Sequence, residues 1–360
     1  VILLDRYILA AFARVFFLSL AAFVGIYLLV DFFEKVDDFI AHQAQVSSYL
    51  LYFANKIPVI AVQVAPLAVL MGTFMTLGGL TRTNELTAMR TAGISLFRIT
   101  APLLSAGLLL ALLTLGVSEY LVPLSVRKIN YLFLTEVKGQ EQQLIARDRI
   151  WLREGNRIVN IRYAVPGQGV LRGITIYSLG ADFRLVQRTD ADQAVYTDGR
   201  WIFDNTTQRS FDPESGTLTA TEHHQESTAP LDRPPEDFGL ARQDNEELGF
   251  RQLRDLAVKL EADGYDSTRY RVDMHGRLAT PFASLIMAFL GIPFALRTAR
   301  GASLALGIGI SVGIGVTFYI FQATLLAFGY SGILPAAVAA WAPNLLFLLL
   351  GLWLMLSTRN

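Results

Sequence analysis

The sequence predicts a membrane α-helical protein with six transmembrane helices, both termini in the cytoplasm, and an inserted extracytoplasmic all-β domain of jelly-roll-like character. Three observations predict it. Of 360 residues, 52% are hydrophobic and only 17% charged, where a soluble chain carries about a quarter charged residues. Six stretches reach the roughly 20 apolar residues that a helix needs to cross about 30 Å of hydrocarbon. Between the third and the fourth lies a long polar segment whose hydrophobic period changes from that of a helix to that of strands.

The first three spans run from about Phe12 to Val30, Ile57 to Leu80 and Ile99 to Ser118. The fourth covers Leu278 to Leu296. Gly301 to Thr358 contains no charged residue and is too long for one crossing, so it folds back near Gly329-Tyr330-Ser331-Gly332 and Pro335 as spans five and six. The first span has no small-residue cleavage site and runs into Asp31-Phe32-Phe33-Glu34-Lys35, which favours a permanent helix over a signal peptide. Basic flanks stay cytoplasmic. Arg6, Arg14, Arg82, Arg90, Arg98, Arg297, Arg300 and Arg359 all fall on one side, whereas Asp31, Glu34, Asp37 and Asp38 fall on the other. The expected organisation is therefore residues 1–122 as spans one to three with a cytoplasmic helix at about 82–93, residues 123–277 as the β domain, and residues 278–360 as the last three spans.

Within the insert, strand-like runs at Ile150-Trp151-Leu152 and Ile158–Ile161 flank the turn residues Gly155-Asn156, and Gly173–Tyr177 follows. Ala194-Val195-Tyr196 and Trp201-Ile202-Phe203 bracket Asp198-Gly199, a type I′ hairpin signal. Turns at this spacing predict a sandwich or jelly roll. From Phe250 to Ala262 the period becomes helical, with Leu253, Leu256, Ala257 and Leu260 on one face.

Composition and motifs exclude much chemistry. Lys plus Arg equals Asp plus Glu at 31 each, so no global charge points to nucleic acid. With no Cys there is no disulfide, thiolate metal site or Cys nucleophile. None of the lysines at 35, 56, 128, 138 and 259 follows a Gly, so the phosphate-cradling loop of a P-loop ATPase is missing and any ATP-driven work needs a partner chain. Gly309-Ile310-Ser311-Val312-Gly313 matches a serine-nucleophile pattern, but it lies in an apolar helix rather than on a strand-to-helix elbow. Small residues at four-residue spacing, Ala305, Gly309, Gly313 and Ser303, Gly307, Ser311, Gly315, favour close helix packing. Glu222-His223-His224 with Glu226 reads as a solvated extended stretch rather than a metal site, because adjacent strand residues face opposite ways. The sequon Asn205-Thr206-Thr207 carries no weight.

The most informative polar segment is Leu80 to Ser95. Leu86, Met89 and Gly93 share a helical face, Arg82, Glu85 and Arg90 supply charge, Gly93 suits a helix end and Ser95 can cap the third span. Such an amphipathic helix rests on headgroups or docks into a partner; Glu85 favours docking, since a carboxylate suits a partner's Arg better than an anionic leaflet. At the other end of span one, Lys35 can hold a lipid phosphate or pair with Asp31 or Asp38, and the surrounding acids favour the local pair.

Leu4-Asp5-Arg6-Tyr7-Ile8, Asn84-Glu85-Leu86-Thr87-Ala88-Met89-Arg90-Thr91-Ala92-Gly93 and Arg269-Tyr270-Arg271-Val272, in this layout, resemble the lipopolysaccharide export permeases of the YjgP/YjgQ or LptF/LptG type. The start, the Phe250–Ala262 helix and the Tyr330 turn lean toward the LptG branch. The resemblance implies a permease without an enzyme activity or cofactor of its own. It would pair with a second, LptF-like permease, with two copies of a cytoplasmic LptB-like ABC ATPase that carries the ATP and Mg²⁺, and with an LptC-like periplasmic jelly-roll bridge. Lipopolysaccharide would be drawn from the bacterial inner membrane. Glu85 would then sit in the coupling helix with Arg82, Leu86, Met89 and Arg90 around it. Spans one and five would be lateral gates with Phe32, Phe33, Phe318 and Phe321 near acyl chains, and Lys35 would be the one basic candidate for a lipid phosphate there.

Overall fold

The computed structural model describes residues 2–41, 45–133, 150–165, 169–180, 182–197, 199–228, 231, 245–262, 266–298 and 304–357. The chain divides into a helical unit, Val1–Leu132, Asn245–Val258 and Asp266–Asn360, and a β unit, Phe133–Asp244 and Lys259–Tyr265. The helical unit thus takes in residues 123–132, 245–258 and 266–277, which the sequence reading assigned to the insert.

The helices are α1 (Ile2–Ala41), α2 (Val46–Arg82), α3 (Glu85–Thr91), α4 (Leu96–Gly116), α5 (Val122–Tyr131), α6 (Phe250–Ala262), α7 (Thr268–Thr298), α8 (Leu304–Tyr330) and α9 (Ala336–Ser357). Among the described residues, six helical segments are long and apolar enough to cross a membrane, and they match the six expected spans in order. The third runs on from α4 through a π-helical segment, Val117–Leu121, into α5. Pro123 explains the widened turn: its ring excludes the carbonyl four residues back, that of Glu119, from ordinary α geometry. The Glu119 carboxylate then accepts the Phe250 backbone N–H at 2.6 Å and caps α6. On α6, Leu253 and Ala257 are buried, as its period predicts.

The centre is α2 and α7. Of the most apolar stretch of each span, 67% is buried in α2 and 61% in α7, against 11% in α1 and 17% in α8. One apolar cluster joins Ile8, Phe12 and Phe16 of α1 to Val69 and Leu77 of α2, Leu103 of α4 and Ile292 of α7. A second joins Leu70 to Met287 and Leu290 of α7, Phe318 of α8 and Phe347 of α9. The small-residue rows of α8 separate by face. Gly307 backs onto the Phe74 ring, where an added Cβ would meet it at 2.7 Å, and Gly315 backs onto Leu67; Gly309 and Gly313 meet open space. Ser311 is buried and its hydroxyl donates to the Gly307 carbonyl at 3.0 Å, the bond expected of a hydroxyl in an apolar helix.

The β unit holds strands β1 (Ile150–Glu154), β2 (Arg157–Val165), β3 (Val170–Leu179), β4 (Leu185–Thr197), β5 (Arg200–Phe211) and β6 (Leu218–Thr228). They form one antiparallel sheet in sequence order, each strand joined to the next as a hairpin without crossover. Both expected tight turns close hairpins, with Glu154 opposite Arg157 and Thr197 opposite Arg200. Gly155 (φ 56°) and Gly199 (φ 80°) take the backbone conformation that other residues resist; Asp198 lies outside the described residues. Val159, Ile161, Leu171, Ile174, Ile176, Ala191, Ala194, Trp201 and Phe203 form its buried interior with Leu231. On β6, His223 Nδ1 pairs with Thr207 Oγ1 at 2.9 Å and His224 stands 3.5 Å from Glu222.

Candidate functional site

The segment between α2 and α4 is built by local chemistry. Asn84 (φ 60°) turns the chain out of α2, and Glu85 opens α3. Gly93 (φ 88°) closes it: the Gly93 N–H donates to the Arg90 carbonyl and the Ile94 N–H to the Met89 carbonyl, both at 3.0 Å. This is the paired 5→2 and 6→1 ending that a left-handed glycine permits. Ser95 caps α4 by accepting the Arg98 N–H at 3.3 Å.

Leu86 is buried in the α1–α2–α4 cluster and Met89 packs against it, so the apolar side of α3 is used within the chain. Arg82, Thr87, Ala88, Arg90, Thr91 and Ala92 remain exposed, and Phe97, just beyond, is 74% exposed. The five expected coupling residues therefore stand in one place, with Arg82 and Arg90 outward, Leu86 and Met89 inward and Glu85 between them.

Glu85 is held from two directions. The Tyr7 hydroxyl of α1 donates to Oε2 at 2.8 Å, and the Thr83 hydroxyl donates to Oε1 at 2.8 Å. Two residues away from Tyr7, Asp5 accepts from Arg98 of α4 at 2.7 Å, and its other oxygen is buried without a hydrogen-bond partner among the described residues. Asp5 and Tyr7 stood in the sequence motif, but their partners lie 93 and 78 residues away. The only sequence signal for this link is the repetition of hydrogen-bonding side chains at the N-terminal end of span one.

The expected lipid-facing residues do not all share a surface. Phe33 is 67% and Phe321 47% exposed; Phe32, at 37%, lies beside Phe33 and Phe53. Phe318 is 1% exposed, with its ring edge-to-face on Phe347 at 5.2 Å. It belongs to the helical core and not to a lipid-facing wall of this chain, because the neighbouring Gly315 turn brings that face of α8 hard against α2. Lys35 is half-buried. Asp31, which the sequence offered to Lys35, accepts at Oδ1 from the Lys56 ammonium of α2 at 2.7 Å. Asp31 Oδ2 is buried without a hydrogen-bond partner among the described residues, and Lys56 also reaches the Tyr52 hydroxyl at 3.3 Å.

Residues 6–357 match the family described as lipopolysaccharide export system permease LptF/LptG. The chain belongs to the LptF/LptG family. Two relatives carry the name lipopolysaccharide export system permease protein LptG. That of Haemophilus influenzae is 23% identical over 363 residues, 99% of both chains, and that of Escherichia coli K12 is 23% identical over 296 residues, 81% of this chain and 80% of the relative. The LptF/LptG match takes in Tyr7, Glu85, Arg98, Asp31 and Lys56, and all six membrane-spanning candidates up to Ser357. Family membership, six apolar helices and the intervening sheet together make this a multi-pass membrane permease with an inserted β domain.

Proposed function

We propose that this chain is the permease subunit of an ATP-driven exporter that extracts lipopolysaccharide from the bacterial inner membrane and passes it to a periplasmic bridge protein. Both LptG relatives are lipopolysaccharide export permeases by name. One observation carries the coupling to ATP: α3 is a short helix rooted by Leu86 in the helical core, with a small-residue and arginine face left outward. A partner's groove receives such a knob more readily than a membrane does, because the outward side offers Thr87, Ala88, Thr91 and Ala92 rather than large apolar anchors.

The energetics require a partner. Exposing acyl chains to water costs about 0.8 kcal/mol per CH₂, and the chain has no phosphate-cradling loop. Two copies of a cytoplasmic ABC ATPase, holding the ATP and Mg²⁺, would receive α3 here and its counterpart on a second, LptF-like permease. The weak coverage of α1 and α8 leaves those spans for the second permease and the lipid, and Gly309 and Gly313 give α8 a flat approach on its open side. The arginines at the α1 start, the α2–α4 turn and the α7 end support a cytoplasmic side for these parts and a periplasmic one for the β unit. The buried interior of the sheet is aliphatic and aromatic, which supports a lipid-handling β domain over one that carries an enzyme's polar site.

The test is purification of the intact assembly with identification of companion chains and bound lipid by mass spectrometry. A P-loop ATPase and lipopolysaccharide are expected, with the ATPase lost on Glu85→Lys. A companion ATPase that binds regardless of this substitution would remove α3 as the docking element, and a different bound lipid would remove the substrate.

A further inference from the structure

The reading above makes Glu85 part of a docking helix; the structure shows that both its carboxylate oxygens are already engaged within the chain. One donor, Thr83, is a local neighbour. The other, Tyr7, belongs to α1. The same turn of α1 also carries Asp5, bound to Arg98 on the far side of α3, and Ile8, which shares an apolar cluster with Leu86. One turn of α1 therefore grips both ends of the α3 loop by three contacts of different chemistry.

Beyond this grip, α1 has mechanical properties unlike its neighbours. It is a single helix of 40 residues without proline, about 60 Å long at 1.5 Å per residue. By contrast α2, α4, α7 and α9 each contain proline within the helix, the usual site of a kink. Only 11% of its most apolar stretch is buried, so that stretch is held to the rest of the chain along one narrow side. A displacement of α3 reaches α1 at its first two turns, and an unbroken rod carries it to the other end.

We infer that Tyr7 is a positioning residue, whose hydroxyl bond to Glu85 passes movement of the ATPase-docking helix to α1. The inference rests on the proposed function. It assigns Glu85 a second duty besides any contact with a partner: a carboxylate oxygen has a lone pair left after accepting from Tyr7, so an arginine of the ATPase and the α1 hydroxyl can share one group. Hydrolysis drives α3, and Tyr7 decides whether α1 follows.

The experiment uses the complete complex in proteoliposomes, reading ATPase co-purification, ATP hydrolysis and lipopolysaccharide released to its periplasmic acceptor. Tyr7→Phe removes one oxygen from a half-exposed side chain and leaves the ring in place. The expected result is full ATPase binding, hydrolysis close to the unmodified complex, and lipid released per ATP reduced about fivefold, the factor for one hydrogen bond of ordinary net strength. Tyr27→Phe, which removes a hydroxyl elsewhere on α1, leaves the ratio unchanged. In a Glu85→Gln background the Tyr7→Phe effect shrinks, because the two changes act on one bond. An unchanged release per ATP in Tyr7→Phe overturns the inference, as does a loss of binding or hydrolysis in step with release, which is the signature of a merely structural tyrosine. An unmodified complex without a companion ATPase sinks the proposed function and the inference with it, whereas a coupled unmodified complex with an indifferent Tyr7→Phe sinks the inference alone.

Discussion

Among the polar contacts that tie α1 to its neighbours, the one toward its C-terminal end is a largely buried ion pair, Asp31 with Lys56, and the two at its N-terminal end are more open, Tyr7 with Glu85 and Asp5 with Arg98. The lengths are alike: both ion pairs measure 2.7 Å. Their surroundings differ. Asp31 is 7% and Lys56 21% exposed, while Asp5 is 30% and Arg98 38% exposed. In each pair the second carboxylate oxygen lacks a hydrogen-bond donor among the described residues; what differs is the access of water, which reaches both side chains of the second pair and little of the first. Breaking a buried pair by removing one partner costs about 3–5 kcal/mol, and an exposed pair is worth about 0–1 kcal/mol. One helix is thus held firmly at one end and by replaceable contacts at the end nearest α3, where a link that must break and re-form needs a low cost.

The largest effect belongs to the buried end. Lys56→Met leaves the Asp31 carboxyl between α1 and α2 without its cation and should lower the stability of the purified protein by about 3–5 kcal/mol, read as a large fall in its thermal unfolding temperature. The double variant Asp31→Leu with Lys56→Met should recover most of that loss, since hydrophobic replacement of both partners of a buried pair is often neutral or stabilising. A Lys56→Met protein as stable as its parent would show that water reaches the pair and would erase the contrast between the two ends.

Between the ends, α1 is held by shape. Gly72 of α2 stands under Phe12, where an added Cβ would meet the ring at 2.8 Å, and Phe12 stacks on Phe16 with ring centres 5.8 Å apart. Gly72→Ala should cost about 1–3 kcal/mol through overpacking. Gly25→Ala on α1 itself meets open space and should be neutral or raise stability by up to about 1 kcal/mol, the helix-propensity difference. Equal effects of the two substitutions would mean that α1 and α2 do not pack as described.

What the sequence made legible is what local chemistry decides. Gly93 and Ser95 announce their roles because a left-handed glycine and a hydroxyl cap each act within four residues. The Gly155 and Gly199 turns do the same for the sheet. The partners of Asp31, Asp5 and Glu85 were hidden, because each is chosen by helix packing across 25, 93 or 78 residues. Asp31 looks like a partner for Lys35 at helical spacing until α2 brings Lys56 beside it. The burial of Phe318 is hidden for another reason: α8 is apolar on every side, so its sequence carries no phase that tells core from lipid. Only the close approach at Gly307 and Gly315 fixes which face turns inward. Pro123 marks the point where the sequence turns polar, and it sits inside the third helical span, whose π-helical segment absorbs it.

The smallest effect belongs to the exposed end, and salt separates it from the others. Arg98→Ala opens a pair whose side chains water already reaches and should cost no more than about 1 kcal/mol at low ionic strength. The Debye length falls from about 10 Å at 0.1 M to about 3 Å at 1 M salt, so raising the salt should reduce that cost further. Lys56→Met should keep its full penalty under the same change, because screening ions do not enter a buried pair. Thermal unfolding of both variants at the two salt concentrations reads the distinction directly. Parallel salt responses would place both pairs in the same environment, and with that the two ends of α1 would no longer differ in what it takes to release them.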